Sequence, residues 1–399
     1  MARATIDFQD FLTDPFGSLH RARQTGWLAE MGPGTGVLTH EDVRELLADP
    51  RLRANFTDFL HTFGVTSGPF YEWMALSPLN RDGADHQRWR AVLSRTFTPR
   101  RVEQIRPFLR TAAHELIDAF AARGACEFVA EFADAYPSLG LCELIGVPLE
   151  DRDRFRGWAN AIGLGFSPVE ILSRIGEIDA ALVELLAYTK GLAAQRRTDP
   201  RDDLITRIAQ AGREDGWTDD MIHGAIAGLV FAGHETTKNQ LGWMVSVLSE
   251  RPAVWDAVAA GDLTVVEVVE EVVRHRSAVT GVGRAVTVPI DRRGERLEPG
   301  TQVLLSLWSA NSDERTYARP DDIDPARHAE TPHLAFGHGA HHCLGAALAR
   351  AELQAALAAL TARVGCPTVG ADAAWKPSVG ITGPLRLPIT FTPRRPAAA

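Results

Sequence analysis

The segment Phe336–Gly345, which is rich in histidine, glycine and cysteine, is the part of the sequence best suited to chemistry. Cys343 stands directly before an alanine- and leucine-rich stretch that predicts a helix beginning at Leu344. The glycines permit tight turns. Free amides at a helix N-terminus stabilise a thiolate by hydrogen bonding and by their partial positive charge. The segment therefore predicts a cysteine that is prepared to be an anion and a metal ligand.

A zinc site is the alternative interpretation of the same residues. Cys343 and four histidines lie within eleven residues, and both side-chain types bind zinc: His333, His338, His341 and His342. The intervals differ from zinc-finger spacings, and a lone thiolate is a poor structural cage. The glycines would also have no special purpose around zinc, so we favour a different metal centre.

The segment resembles the haem-binding loop of the cytochrome P-450 family, whose pattern is Phe-Gly-x-Gly-x-His-x-Cys-x-Gly. All six specified positions match: Phe336, Gly337, Gly339, His341, Cys343 and Gly345. The resemblance runs from about Gly36 to Phe391. It implies haem b (iron protoporphyrin IX) with the Cys343 thiolate as axial ligand, a donor that favours cleavage of bound dioxygen. The expected enzyme is a monooxygenase that uses O2 to hydroxylate or epoxidise a small, largely apolar organic molecule, in the tailoring of a secondary metabolite.

A second segment resembles the oxygen-activating motif of that family, in which small residues precede an acid and an alcohol. Ala232 and Gly233 would let their helix lie close to the haem. Glu235 and Thr236 would steer the protons that oxygen cleavage consumes. The neighbouring His234 has no catalytic role in this interpretation, and Thr237 and Lys238 are expected on the helix surface.

The two haem propionates require cations. His86 and Arg90 stand one helical turn apart and resemble the His-x-x-x-Arg clamp of the family. By the same resemblance, Arg284 and His341 reach the propionates from the other side. The four residues together would provide donors for two carboxylates.

Glu271 and Arg274 have the spacing of an intrahelical ion pair. They resemble the Glu-x-x-Arg motif of the family, which pairs with a later arginine, here Arg327. The alternative is an exposed pair that contributes under ~1 kcal/mol. We favour a buried triad with an architectural role.

Apolar side chains mark candidates for the substrate pocket by their positions in the family pattern. We assign to it Phe70, Tyr71, Trp73, Leu229, Val279, Val282 and Ile381, with Phe59, Phe63, Met74 and Val230 as further candidates. Side chains of this type are also typical of the hydrophobic core.

Three predicted helices must position these residues. The longest begins near Thr218, a plausible N-cap, and runs to about Ser249; its apolar circumference suits a helix that crosses a protein core. A second opens with the capping-box spacing of Thr264 and Glu267 and continues through Arg274. The third follows Cys343.

Strand signals are short and few, at Val37–Thr39, Thr301–Leu307 and Leu385–Phe391. We therefore expect a mainly α protein with small β-sheets. The resemblance implies a single cytochrome P-450 domain over residues 1–399, with haem between the long central helix and the helix that follows the segment Phe336–Gly345, which we call the Cys loop.

The composition limits the kinds of partner and the cellular location that we expect for this chain. The chain has 399 residues and a net charge of −9, and only three of its 42 basic residues are lysines, which argues against a broad nucleic-acid-binding face. No apolar run reaches the ~18 residues of a membrane span, and the N-terminal segment does not resemble a signal peptide. We expect a cytoplasmic monomer without disulfides, in which Cys126, Cys142 and Cys366 are buried apolar residues.

Electron partners follow from the resemblance to soluble bacterial members of the family. Because no flavin or nicotinamide segment is fused to the chain, we expect a separate ferredoxin with its reductase. The segment Arg81–Arg110 carries eight arginines and three acidic residues, a local net charge of +5. It is either a docking surface for an acidic redox partner or a solvated helix face.

Two other functions remain open at this point. The same haem chemistry could be diverted to oxidative coupling, desaturation or nitration of an aromatic substrate, which the sequence does not distinguish from hydroxylation. A haem-binding sensor without turnover is the second alternative. The acid and alcohol of the long helix argue against a sensor, because it has no need for proton delivery.

Overall fold

The protein is described by a computed structural model that covers residues 3–32, 34–329 and 331–394. The helices are α1 Phe8–Thr13, α2 Pro15–Thr25, α3 His40–Leu47, α4 Phe56–Thr62, α5 Pro69–Leu76, α6 Gly83–Thr96, α7 Pro99–Asp118, α8 Tyr136–Ile145, α9 Arg152–Gly163, α10 Ile171–Thr198, α11 Leu204–Glu214, α12 Asp219–Ser249, α13 Pro252–Ala260, α14 Val265–His275, α15 Leu307–Asn311 and α16 Ala346–Arg363. The prediction of a mainly α protein with small sheets is confirmed.

The strands are β1 Ala4–Ile6, β2 Leu28–Met31, β3 Gly34–Val37, β4 Leu52–Ala54, β5 Ala125–Glu127, β6 Gly281–Val286, β7 Ile290–Arg292, β8 Glu295–Leu297, β9 Gln302–Ser306, β10 Thr368–Val369, β11 Ala374–Trp375, β12 Pro384–Arg386 and β13 Pro388–Thr390. Within the described ranges, six strands form a sheet of order β1-β2-β3-β9-β6-β4, and three form the order β10-β13-β5. β11 pairs with β12, and β7 with β8. The larger sheet fixes Arg284 opposite Val303 of β9 and Ala54 of β4.

Of the three predicted strands, one is shifted, one is shortened and one is divided. β3 ends at Val37, because the side chain of Thr39 caps α3 and accepts a hydrogen bond from the amide of Asp42. β9 is one residue shorter at each end than predicted. The predicted strand Leu385–Phe391 is two strands, since β12 pairs with β11 whereas β13 lies between β10 and β5. Pairing partners of this kind are not encoded in local periodicity.

The long helix α12 agrees with the sequence prediction. It has 31 residues and ends at Ser249, and the side chain of Thr218 caps it by accepting a hydrogen bond from Met221 N at 3.2 Å. It packs against α8, α9, α10 and α16 within one large apolar cluster. None of the helices in the described ranges combines the length and the apolar character that crossing a membrane requires.

The starts of α14 and α16 position the residues on either side of the Cys loop. α14 begins with the predicted capping box: Thr264 N donates to Glu267 Oε2 at 3.0 Å, and Glu267 N donates to Thr264 Oγ1 at 3.2 Å. α16 begins at Ala346 instead of Leu344, with Gly345 as its N-cap. Cys343 thus precedes the helix by a short turn and does not adjoin it.

Candidate functional site

The Cys loop folds back on itself before α16. Cys343 N donates to Phe336 O at 2.8 Å, and His342 N donates to Gly339 O at 3.1 Å. Gly337 and Gly339 both have φ of 72°, the left-handed region in which a side chain is strained. A Cβ at Gly339 would also lie 3.0 Å from Ala48 Cα, so the loop is pressed against the end of α3. These glycines are required by the turns, as the sequence predicted.

The Cys343 side chain is accessible and yet closely surrounded by protein atoms, so it must line a concave space, which we call the cleft. Burial by these atoms raises the pKa of the thiol above its ordinary value. The amides of Gly345 and Ala346 hydrogen-bond to the sulfur and act in the opposite direction, as do the charges of Arg90 and Arg350. The predicted effect of the helix N-terminus is present, but it does not outweigh burial. A thiolate at this position needs a cation close to the sulfur.

A stripe of accessible side chains runs along the middle of α12, which is otherwise buried. Ala232 is exposed, and Leu229, Gly233 and Thr236 are half-buried. Their spacing of three or four residues places them on one face of the helix. Thr236 Oγ1 donates to Ala232 O at 2.7 Å, so the hydroxyl bonds to its own helix. α12 packs directly on α16, the helix that follows the Cys loop.

Glu235 is not the free acid that the motif suggests. Its carboxylate is buried, lies 2.7 Å from Lys238 Nζ and also contacts the ammonium of Lys376. Burial alone would raise the pKa of Glu235, but the two ammonium groups outweigh it and lower the pKa to about 2. Glu235 is therefore an ion-paired anion that holds no proton in this arrangement.

The residues around Glu235 are more buried than the sequence suggested. Thr237 and Lys238 were expected on the helix surface, but both are buried, because α12 is covered on this side as well. His234 Nε2 lies 3.3 Å from Asp134 Oδ1, and burial lowers the pKa of His234 to about 4. Lys238 Nζ binds Asn160 Oδ1 at 2.6 Å, which links α12 to α9.

A buried carboxyl on α16, Glu352, predicts a pH dependence of stability. It is fully buried beside Thr237, neither of its oxygens has a hydrogen-bond partner of good geometry among the described residues, and burial raises its pKa well above 4.5. Above pH 4.5 the unfolded chain releases this proton whereas the folded chain keeps it, so stability falls as pH rises towards the raised pKa. The Glu352→Gln variant has no ionisable group at this position, so its stability lacks this pH dependence.

We therefore expect the free energy of unfolding of the parent, relative to Glu352→Gln, to fall by about 1.4 kcal/mol per pH unit above the ordinary carboxyl pKa. Urea unfolding of both proteins between about pH 5 and pH 8 measures this difference. A difference that stays constant over that range contradicts the protonated state of Glu352.

The four predicted propionate ligands lie together. The rings of His86 and His341 are 4.0 Å apart between centroids, and the charges of His341, Arg90 and Arg284 all act on His86. Burial, followed by His341 and Arg90, lowers the pKa of His86 to about 4. We call these four residues the cation cluster.

The cation cluster has an excess of donors. Asp82 is the acidic residue beside it, with Oδ1 at 3.0 Å from His341 Nε2. Arg284 Nη1 donates to Gly283 O at 2.7 Å, and in the part of the chain that the structure describes neither Arg90 nor Arg284 has a carboxylate within 4.0 Å. Burial lowers the pKa of both guanidinium groups. A partly buried cluster with unmatched cations fits a ligand that carries carboxylates.

The Glu271, Arg274 and Arg327 side chains meet in the interior. Arg274 binds Glu271 through two hydrogen bonds of 2.8 Å, and Arg327 Nε lies 3.3 Å from Glu271 Oε1. All three are buried. Arg274 Nη1 also donates to Asn311 O at 2.8 Å, which ties α14 to the end of α15. The prediction of a buried triad therefore agrees with the structure, and the alternative of an exposed Glu271–Arg274 pair does not.

The seven assigned pocket residues separate into two groups. Leu229, Tyr71, Val279, Val282 and Ile381 are half-buried, and Val279 forms an isolated bridge with Ile381. Phe70 and Trp73 are buried, as are Met74 and Val230 among the further candidates. Trp73 Nε1 donates to Gly224 O at 3.2 Å, so this ring packs on α12. The buried residues belong to the core, since a free pocket wall would be accessible.

The sequence analysis did not identify a group of three packed aromatic residues, Phe56, Phe166 and Phe231. Phe166 stacks on Phe231 of α12 at 4.5 Å between ring centroids and contacts Phe56 at 4.7 Å. Phe166 lies between α9 and α10, in a segment without periodicity or motif. The apolar run of the long helix contains Phe231, but no pattern indicated which face it occupies.

The histidines in and just before the Cys loop do not converge on a metal site among the described residues. His333 Nε2 lies 3.3 Å from Glu270 Oε2, and His341 binds Asp82. In residues 3–32, 34–329 and 331–394 no group of three or more His, Cys, Asp or Glu side chains could hold a metal ion. Arg350 lies over the Phe336 ring at 4.5 Å and binds Glu270, which places Phe336 beside α16.

Comparisons with known proteins agree with this geometry. The family described as Cytochrome P450 matches residues 178–363. Luteothin monooxygenase of Streptomyces thioluteus is 31% identical over 394 residues, which cover 97% of each chain. Mycinamicin IV hydroxylase/epoxidase of Micromonospora griseorubida is 36% identical over 369 residues, which cover 89% of each chain. Among solved structures, CalO2 aligns with a TM-score of 0.90 at 29% identity, over 98% of this chain and 100% of that one.

Proposed function

The chain belongs to the cytochrome P450 family and is a monooxygenase of that family, and from this premise we propose that Cys343 is the axial ligand of haem b. The observation that carries the proposal is the accessible sulfur of Cys343 in the cleft, with two amides at the start of α16 directed at it. The other three cysteines do not share this environment: Cys126 and Cys142 are buried, and Cys366 lies near Leu248 O at 3.6 Å.

The chain offers residues that would bind the iron of the cofactor and residues that would bind its propionates. Cys343 would bind the iron, and the cation cluster would bind the two propionates. The haem, when bound, activates O2 so that one oxygen atom enters the substrate and the other leaves as water. A Cβ at Gly345 would lie 3.9 Å from the sulfur, so the lack of a side chain at this glycine leaves space beside the sulfur. The small, exposed Ala232 would let the cofactor lie close to α12. Gly233 instead lets α12 approach α8, because a Cβ there would lie 2.6 Å from Leu141.

Thr236 is our proposed proton-handling residue. Its Oγ1 donates to Ala232 O, which leaves the oxygen lone pairs free to accept a hydrogen bond from water in the cleft. Glu235 contributes a fixed negative charge behind Thr236 and no proton of its own, because Lys238 and Lys376 hold it ionised. The reaction consumes two protons, and in this arrangement they pass Thr236 as protons of water.

We expect Thr236→Ala to uncouple electron consumption from product, lowering product formed per reductant consumed by about tenfold or more, because a positioned proton-transferring group contributes on the order of 10²–10⁴-fold. The measurement is product and hydrogen peroxide per reductant oxidised. Thr236→Ser retains a hydroxyl and is the matched control, with coupling close to the parent. Equal coupling in the parent, Thr236→Ala and Thr236→Ser contradicts the role of Thr236.

The proposed substrate is a small, largely apolar organic molecule from secondary metabolism. The names of the two relatives give hydroxylation, epoxidation and monooxygenation of natural products. Val279 and Ile381 bridge to each other, are half-buried and apolar, and form the proposed substrate wall; Leu229 of α12 is likewise half-buried and apolar. A screen for compounds that shift the haem Soret band identifies the ligand. The product mass then tests the reaction, because a gain of one oxygen supports hydroxylation or epoxidation and a loss of two hydrogens supports coupling or desaturation.

Electrons come from a redox partner, which we propose to be a ferredoxin with its reductase. The structure modifies the charge that we predicted for Arg81–Arg110, because Asp202 and Asp215 pair with Arg101 and Arg88. Exposed arginines without a carboxylate partner among the described residues remain at Arg95, Arg100 and Arg110. They support the docking of an acidic partner on the surface formed by α6 and α7.

A further inference from the structure

Two of the three lysines in the chain bind one buried carboxylate. Lys238 Nζ is 2.7 Å from Glu235 Oε2, and the ammonium of Lys376 binds Glu235 Oε1. Lys190, the third, is exposed on α10. Since 39 of the 42 basic residues are arginines, two lysines at one carboxylate are a specific feature of this chain.

Lys238 alone could compensate the charge of Glu235. The two residues are one turn apart on α12, so their ion pair forms within a single helix. Lys376 comes from a distant part of the chain, directly after β11. Its ammonium therefore adds a second positive charge and also connects the segment after β11 to α12.

Lys376 directly precedes a tight loop, Pro377–Thr382, that borders the substrate wall. The loop is closed by Lys376 N, which donates to Gly383 O at 2.9 Å. It contains Ile381, which bridges to Val279, and Gly380 O accepts a hydrogen bond from Thr280 N at 3.0 Å. The proposed apolar substrate would contact this loop at Ile381.

Glu235 lies where three elements meet. A Cβ at Gly163, the last residue of α9, would lie 3.0 Å from the Glu235 side chain. Asn239 Nδ2 donates to Glu235 Oε1 at 3.0 Å, and a Cβ at Gly383 would lie 2.5 Å from Asn239 Oδ1. The end of α9, the middle of α12 and the end of the loop are thus in close contact around one carboxylate.

We propose that Lys376 is a positioning residue for the oxidation: its ion pair with Glu235 fixes the loop Pro377–Thr382, and so holds the substrate wall at Ile381 in register with Thr236. This inference rests on the proposed function of Thr236 and of the cleft. Lys376 touches neither the cofactor nor the reacting atoms. It acts through the loop and through Glu235, the residue next to Thr236 in the chain.

The test uses four holoenzyme variants. Lys376→Met removes the ammonium, Lys376→Gln keeps a hydrogen-bond donor without the charge, and Lys376→Arg restores a cation. Lys190→Met makes the same chemical change at an exposed lysine and is the matched control. Haem content and the ferrous carbonyl spectrum are recorded for every sample, so a failure of the haem-thiolate assignment is recognised separately.

Two readouts are measured, deuterium uptake by mass spectrometry and the Kd of 4-phenylimidazole from Soret titration. In Lys376→Met and Lys376→Gln we expect about tenfold faster exchange in the peptide covering 377–383, with other core peptides unchanged. We expect the Kd of 4-phenylimidazole to change by about fivefold, because the wall of the cleft loses its fixed position. Lys376→Arg and Lys190→Met should resemble the parent in both readouts.

Other results overturn the proposal. Exchange and Kd in Lys376→Met that equal those of Lys190→Met show that the loop is fixed without the ion pair. Exchange that rises equally throughout the protein, or failure of both neutral Lys376 variants to fold while Lys190→Met folds, shows that Lys376 serves stability in general and does not position the loop.

Discussion

Replacing Cys343 with serine is expected to abolish oxygen-dependent product formation. A serine hydroxyl has a pKa far above that of a thiol and is a weak donor, so it does not supply the electron density that a thiolate gives to iron. The two amides at the start of α16 and the charge of Arg90 stabilise a sulfur anion at this position, and the change removes the sulfur itself. The measurement is the amount of product that the variant forms, under saturating reductant, from a substrate selected in the Soret screen.

The control for this experiment is Cys366→Ser. Cys366 is half-buried at the other end of α16, and its sulfur lies near backbone carbonyls of α12. We expect the activity of this variant to equal that of the parent. Turnover that persists in Cys343→Ser, at more than a small fraction of the parent rate, is incompatible with Cys343 as the axial ligand.

The second large effect is on stability. The Glu271→Gln variant should lose about 3–5 kcal/mol of the free energy of unfolding, because it removes the buried counter-charge shared by the guanidinium groups of Arg274 and Arg327 and leaves Arg327 only the more exposed Asp324 at 4.0 Å. Glutamine has nearly the same shape as glutamate, so the loss reports the charge and not a cavity. Glu271 also accepts a hydrogen bond from Asp324 N at 3.0 Å, which the amide oxygen of glutamine can still accept.

Glu177→Gln is the matched control for Glu271→Gln. Glu177 and Arg174 form an ion pair with the same separation of three residues, but on the exposed surface of α10, where the two side chains are 46% and 44% exposed. We expect this change to cost under about 1 kcal/mol. Urea unfolding of the holoenzyme measures both variants, and losses of similar size in the two would show that the triad is no stronger than a surface pair.

The sequence predicted those features that depend on local chemistry. Thr218 and Thr264 identify the starts of α12 and α14, because a capping side chain must stand within a few residues of the amide that it accepts from. The glycines of the Cys loop could be interpreted in the same way. Family spacing brought His86, Arg90, Arg284 and His341 into one list, and the structure places them in one cluster.

The features that were missed depend on contacts between distant parts of the chain. Nothing near Lys376 indicates that its ammonium binds Glu235, which lies 141 residues earlier, nor does the sequence show that Lys238 is buried. The charge of Arg88 and Arg101 was overestimated for the same reason, since the acids that pair with them come from another segment. The state of the Glu235 carboxylate, on which its chemical role depends, could be derived only from these long-range pairs.

The central claim is that the Cys343 thiolate binds haem iron, and the ferrous carbonyl spectrum of the purified protein tests it most directly. We predict one haem per chain and a ferrous carbonyl Soret band shifted to the red, the signature of a thiolate ligand. A preparation with less than stoichiometric haem after reconstitution, or a carbonyl band at the position typical of a neutral nitrogen ligand, would contradict the assignment.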